Sequence, residues 1–215
     1  MTSSLSGGNT FTASGGGSGT TRGSVFNVAA ADDITFSGVT GSWSCCVGNS
    51  SFNGPDGGSY AGGDTNLSSA GDISGIVDSS GTFFLVGVFL GSSLPASAPA
   101  SLDFSPGGLT QTFSSLSPAL GQVFFIGDGL TGTGTGTAQQ FFAPTGAVQL
   151  YLGTADGYNV TGGPGFYSDN QGSLTGSLTD TAATPEPSSL ILMATAVCGL
   201  LAMRFRRVSR PQTLS

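Results

Sequence analysis

Between residues 24 and 178 the chain runs in short apolar segments rich in Val, Ile and Phe, each closed by Gly, Asp, Asn or Pro. The cleanest period lies at 147–152. There Val148, Leu150 and Leu152 alternate with Gln149 and Tyr151, the two-residue repeat of a strand with one buried face. Leu174 and Leu178 flank Gly176 in the same phase. The pattern predicts strands over 24–29, 34–39, 82–90, 110–113, 122–126, 138–142, 147–152 and 172–178. No segment before residue 188 shows a helical period with caps. Many short strands divided by turn signals point to a β-sandwich or barrel. Thr131–Gly136, an alternation of Thr and Gly, reads as a loop ahead of the strand at 138. Residues 1–22 read as a flexible Gly/Ser/Thr-rich lead-in.

Composition narrows the chemistry. The 215 residues include 37 Gly, 15 Phe and no His, and carry a net charge of −7. Without His there is no Ser-His-Asp triad, Cys-His dyad or His-bound metal. Five Lys plus Arg cannot build the basic face of a nucleic-acid binder. The charge is also divided. Twelve acids against Arg22 alone give residues 1–186 a charge of −11, and four arginines give the remainder +4. A glycosidase needs two placed carboxylates. Asp pairs are present, but the body has no Glu, Lys or G-x-S-x-G, so the chain is read as non-catalytic. Asp103 reads as a loop residue, and Asp56 with Asp64 as a solvated loop or a second cation loop. Cys45 and Cys46 are adjacent and read as two small loop residues or as a vicinal disulfide; Cys198 lies apart in the tail.

The tail has three parts in order: Pro185-Glu186-Pro187, a 14-residue uncharged run over 190–203, and a cluster of Arg204, Arg206, Arg207 and Arg210. The run is shorter than the ~20 residues of a full span, and the arginines behind it fit a cytoplasmic C-terminus. The arrangement resembles the PEP-CTERM sorting signal of exported bacterial proteins. The resemblance implies passage through the inner membrane, recognition by an exosortase, loss of the tail near the triplet, and a final place at the cell surface or in extracellular polysaccharide. An exported chain also needs an N-terminal signal with a basic start and an apolar stretch. Met1 to Thr21 shows neither, which places the expected start upstream of Met1, the alternative being an unexported fragment.

The stretch from Leu150 to Leu174 holds the candidate site. Asp156, Asn159, Asp169 and Asn170 cluster on one Gly-rich loop, and hard oxygens on a tight loop are what Ca²⁺ requires. The same composition also makes an ordinary turn. Three segments resemble the C-terminal half of the bacterial calcium-dependent galactophilic lectins: Gln139-Gln140-Phe141-Phe142-Ala143-Pro144, Gly146–Leu152, and Pro164-Gly165-Phe166-Tyr167-Ser168-Asp169-Asn170-Gln171-Gly172-Ser173-Leu174. Upstream, Asp33-Ile34-Thr35-Phe36 with Gly41-Ser42-Trp43, and Gly87–Gly91, are similar to earlier strands of that family. The resemblance implies Asp156, Asp169 and Asn170 as calcium ligands, with the backbone carbonyl of Cys45 or Cys46 beside them and sugar hydroxyls completing the shell. The family's Thr ligand falls on Phe166, which offers only a carbonyl, and the loop here is longer.

The expected fold is therefore all-β: a jelly-roll-like β-sandwich over 23–180, a disordered lead-in over 1–22, a linker with the triplet over 181–187, and a C-terminal hydrophobic helix with its basic tail over 188–215. The expected function is an exported, calcium-dependent, carbohydrate-binding-like module that partners an exosortase and polysaccharide, not nucleic acid. The alternative is a purely structural envelope or matrix protein with the same fold and no glycan. Reading the DNA upstream of Met1 checks the export expectation: an in-frame signal peptide supports it, and its absence makes this export route untenable.

Overall fold

A computed structural model describes residues 9–14, 24–46 and 48–182. The Pro185-Glu186-Pro187 triplet, the apolar run, the basic cluster at Arg204, Arg206 and Arg207, and most of the lead-in lie outside the described residues. Among the described residues no helix is long and apolar enough to cross a membrane. The protein is all-β, as the periodicity predicts.

Among the described residues fifteen strands follow in order. The first eight are β1 (Asn9–Ser14), β2 (Val25–Asn27), β3 (Asp33–Ser44), β4 (Thr65–Leu67), β5 (Ile76–Asp78), β6 (Leu85–Leu90), β7 (Leu102–Asp103) and β8 (Ser115–Leu116). The rest are β9 (Val123–Phe125), β10 (Leu130–Gly132), β11 (Thr135–Ala138), β12 (Gln140–Phe142), β13 (Gln149–Thr154), β14 (Thr161–Gly162) and β15 (Gln171–Thr181). Two main sheets, β1-β15-β3-β12-β8 and β2-β13-β6-β9, enclose the core. A smaller sheet, β14-β4-β5-β7, and the β10-β11 hairpin complete the unit.

Phenylalanines join the two main sheets. Phe36 of β3 meets Phe141 of β12 at 5.6 Å between ring centroids; Phe141 meets Phe124 of β9 at 5.2 Å, and Phe124 meets Phe89 of β6 at 5.2 Å. All four rings are buried. Offset and edge contacts of this kind add to the apolar area removed from water. On β13, Leu150, Leu152 and Thr154 are buried and alternate with half-buried Gln149, Tyr151 and Gly153. Val148 shares the phase but precedes the strand and is exposed.

β3 runs to Ser44, well past the expected end at Val39. Gly38 and Gly41 resemble turn signals, yet both take positive φ inside the strand. A Cβ at Gly41 would sit 2.3 Å from the Ser173 carbonyl oxygen, and one at Gly172 the same distance from that of Ser42. Only glycine lets β3 and β15 approach this closely.

Several expectations need correction. Residues 9–14, placed in the lead-in, form edge strand β1 against β15, because Phe11 and Ala13 are apolar at alternate positions and both are buried. Gly176 leaves the space that Phe11 fills, since a Cβ there would lie 2.9 Å from its ring. The segment 110–113 is not a strand: Thr110 has positive φ, and the pairing falls instead on β8. Phe83 also has positive φ, so the strand expected from 82 begins at Leu85. Thr131–Gly136 is largely hairpin rather than loop.

Phe11 meets Phe36 edge-on at 6.0 Å and is 4% exposed. Phe11→Ala is expected to cost about 3 kcal/mol of unfolding free energy, within the usual range for emptying a buried aromatic site. Denaturant titration of the full chain measures it. A loss below about 1 kcal/mol, the size of an ordinary surface change, would show that β1 is not part of the core.

Candidate functional site

The β3–β15 ladder ends where Gln171 pairs with Ser44. That register sets Asn170, just before β15, beside Cys45, just after β3. β13 ends at Thr154, and Asp156 follows after one residue. A bridge between Gly157 and Pro164, with the Gly165 amide donating to the Asp156 carbonyl at 3.1 Å, closes the loop that returns the chain to Asp169 and Asn170.

The structure therefore brings Asp156 and Asn170 together. Asp156 is 1% exposed, and its Oδ2 accepts a hydrogen bond from Asn170 Nδ2 at 2.6 Å. That bond turns the Asn170 amide so that Oδ1, also buried, is left with no partner. Asp169 Oδ1 is likewise buried and unpartnered. So is the Thr154 hydroxyl, two residues before Asp156. Orphaned buried oxygens are costly and call for a physical explanation. Cys45, just after β3, also lines this region, and its carbonyl is one the resemblance implies. It accepts from Ser44 Oγ at 2.8 Å, which leaves its second lone pair free.

Burial pushes the Asp156 carboxyl up to about 6. The neighbouring Asp169 charge adds to the shift, against the hydrogen bonds from Asn170 and the Gly157 backbone. The Tyr167 phenol is also raised, by burial first and then by the charge of Asp156. Among the described residues there is no Lys, Arg or His to neutralise these acids. No three of His, Cys, Asp and Glu converge as a metal cluster among the described residues. The donor set here has two carboxylates, with an amide and a backbone oxygen making up the rest.

Cys45 and Cys46 are joined as a vicinal disulfide, not left as two free loop thiols. Cys45 Sγ lies 3.5 Å from the Tyr60 hydroxyl, which also receives a hydrogen bond from Asn49 Nδ2. The disulfide, Tyr60, Asp156 and Asp169 border a cleft of about 450 Å³. Its lining also includes Tyr158, which the sequence did not mark, and Phe166, which the sequence marked for its backbone carbonyl and not for its ring. Aromatic residues within Gly157–Phe166, a segment with four glycines, were the signal available for them. A second cleft, of about 280 Å³, lies against Leu67, Ile76, Val86 and Val88. It has no charged lining residue, so the chemistry belongs to the first.

The other acids have local roles. Asp56 Oδ1 accepts the Asp128 amide at 2.7 Å and holds that turn, while Asp64 is exposed ahead of β4, so the two do not form a second cation loop. Asp103 falls on β7 and accepts the Ser105 amide at 2.9 Å. At the opposite end of the β3–β15 ladder, burial pushes Asp180 up to about 6, with the charge of Asp32 contributing.

An acid raised on folding binds protons more tightly in the folded than in the unfolded chain. The stability it contributes is complete below its unfolded value near 4 and is lost as pH rises through about 6. Without divalent cations, the melting temperature is expected to fall over that window, and Asp156→Asn to remove part of the slope. Asp180 and Asp56, both also raised by burial, contribute to the rest. A profile unchanged by Asp156→Asn would show that Asp156 titrates normally. Comparison with protein-family models, characterised proteins and solved structures returns no match for this chain.

Proposed function

We propose that the β-sandwich is a calcium-binding module of an exported cell-surface or matrix protein, non-catalytic and suited to carbohydrate. One observation carries the calcium reading. Asp169 Oδ1 and Asn170 Oδ1 are buried without partners beside a buried carboxylate, with no basic side chain among the described residues to balance it. A divalent cation supplies both the missing partner and the missing charge. Ca²⁺ takes six to eight hard oxygens. Asp156, Asp169, Asn170 and the Cys45 carbonyl would provide part of that shell, leaving positions for water or ligand hydroxyls. The export reading rests on the Pro-Glu-Pro triplet, apolar run and arginine cluster of the sequence, and it names an exosortase as processing partner. The acidic body supports a neutral ligand over a polyanion.

Millimolar Ca²⁺ is expected to raise the melting temperature of the full chain. Saturation to a hundredfold above Kd is worth about 2.7 kcal/mol. Asp169→Ala with Asn170→Ala should remove the shift. The absence of any shift in the unmodified chain would overturn the calcium reading.

A further inference from the structure

The loop that closes the acidic site also displays aromatic surface. Tyr158 is 67% exposed and Phe166 57%, and their rings sit 5.5 Å apart, tilted by 47°. Each is carried by a single 3₁₀ turn or its cap, at the two ends of the 157–166 loop. Asn159, Val160 and Phe166 all take positive φ there. A left-handed backbone is unfavourable for these residues, most of all for β-branched Val160, and such conformations collect at binding sites. Holding two large apolar rings in water is also costly. The loop bears both costs at the rim of the cleft that contains Asp156 and Asp169.

The cleft therefore offers two kinds of contact. Asp156 and Asp169 offer oxygens suited to a cation with open coordination positions, and Tyr158 and Phe166 offer an apolar aromatic face. The cleft volume of about 450 Å³ is ordinary for a small-ligand site. An anionic ligand has no basic partner among the described residues. An organic cation would suit the rings and the bare carboxylates, but Ca²⁺ on those carboxylates would repel it. A pyranose meets both conditions. Its hydroxyls can reach the metal, and its ring C–H bonds form an apolar face. We infer that Tyr158 and Phe166 form a stacking platform that selects β-linked hexopyranosides with an uninterrupted C–H face. This rests on the calcium reading for the hydroxyl contacts, whereas the platform does not use calcium. An α-mannopyranoside carries an axial oxygen on each face, so it stacks poorly either way. The vicinal disulfide and Tyr60 line the same cleft.

The test measures binding of the full chain to polyacrylamide-linked β-glucoside, β-galactoside and α-mannoside, with choline as a cationic probe, all in Ca²⁺. The β-glycosides should bind and the α-mannoside should not. Tyr158→Ala with Phe166→Ala should weaken β-glycoside binding at least about tenfold, as loss of central aromatic contacts does, while keeping the calcium-dependent melting shift. Tyr158→Phe with Phe166→Tyr should restore binding. Both residues are more than half exposed, and an unchanged denaturation midpoint would confirm that the fold is intact. Four results would overturn the platform: undiminished binding by the alanine variant, equal binding of the α-mannoside, binding of choline in place of sugars, or no sugar binding with the calcium shift intact. The last would leave a calcium-binding matrix protein. A missing calcium shift, with sugar binding still lost on alanine substitution, would uphold the platform and reject the calcium reading.

Discussion

The antiparallel pairing of β3 with β15 is the constraint on which the candidate site depends. Asp33–Ser44 lies against Gln171–Thr181, and the register is interrupted once, between Thr175 and Ser177. Gly41 and Gly172 permit the close approach from opposite strands. Moving the register by one residue would turn Leu174 and Leu178 out of the core. It would also separate Asn170 from Cys45, because each lies one residue beyond the last pair. Fold and site share one register, so a substitution such as Gly172→Ala would disturb both.

Electrostatics reinforces that dependence. The described residues contain acids and no basic side chain, so their carboxylates are held by backbone amides and by side-chain amides such as those of Gln111 and Gln140. Asp56, Asp78, Asp103 and Asp128 accept backbone amides and staple turns. Asp156 differs: its side-chain donor is the Asn170 amide, and the remaining oxygens around it lack partners. At neutral pH a carboxyl raised to about 6 is mostly ionised, and the fold bears the cost of a buried charge. A bound cation offsets that cost.

Much of this was legible in the sequence, for physical reasons. Strong two-residue periodicity marked β13, and the Leu174/Leu178 phase marked β15. Oxygen-rich residues between glycines marked Asp156, Asp169 and Asn170, though the sequence alone could not separate a cation loop from a turn. The extent of β3 was hidden because its glycines serve close strand approach yet look like breaks. β1 was hidden by its Ser/Gly surroundings, although Phe11 and Ala13 alternate correctly. β4, β5, β7 and β14 are two or three residues long and too short to show a period. Adjacency of Cys45 and Cys46 does not decide their redox state. The rings of Tyr158 and Phe166 were missed because an aromatic in a sequence suggests the core, and only the folded loop shows these two facing water.

The central claim is that Asp156, Asp169 and Asn170 form one cation site with Asp156 supplying charge. Isothermal titration of the metal-free full chain with Ca²⁺ at neutral pH tests it most directly. The account predicts saturable binding of a single ion per chain, lost or strongly weakened in Asp156→Asn. No binding, or binding unchanged by that substitution, would contradict it.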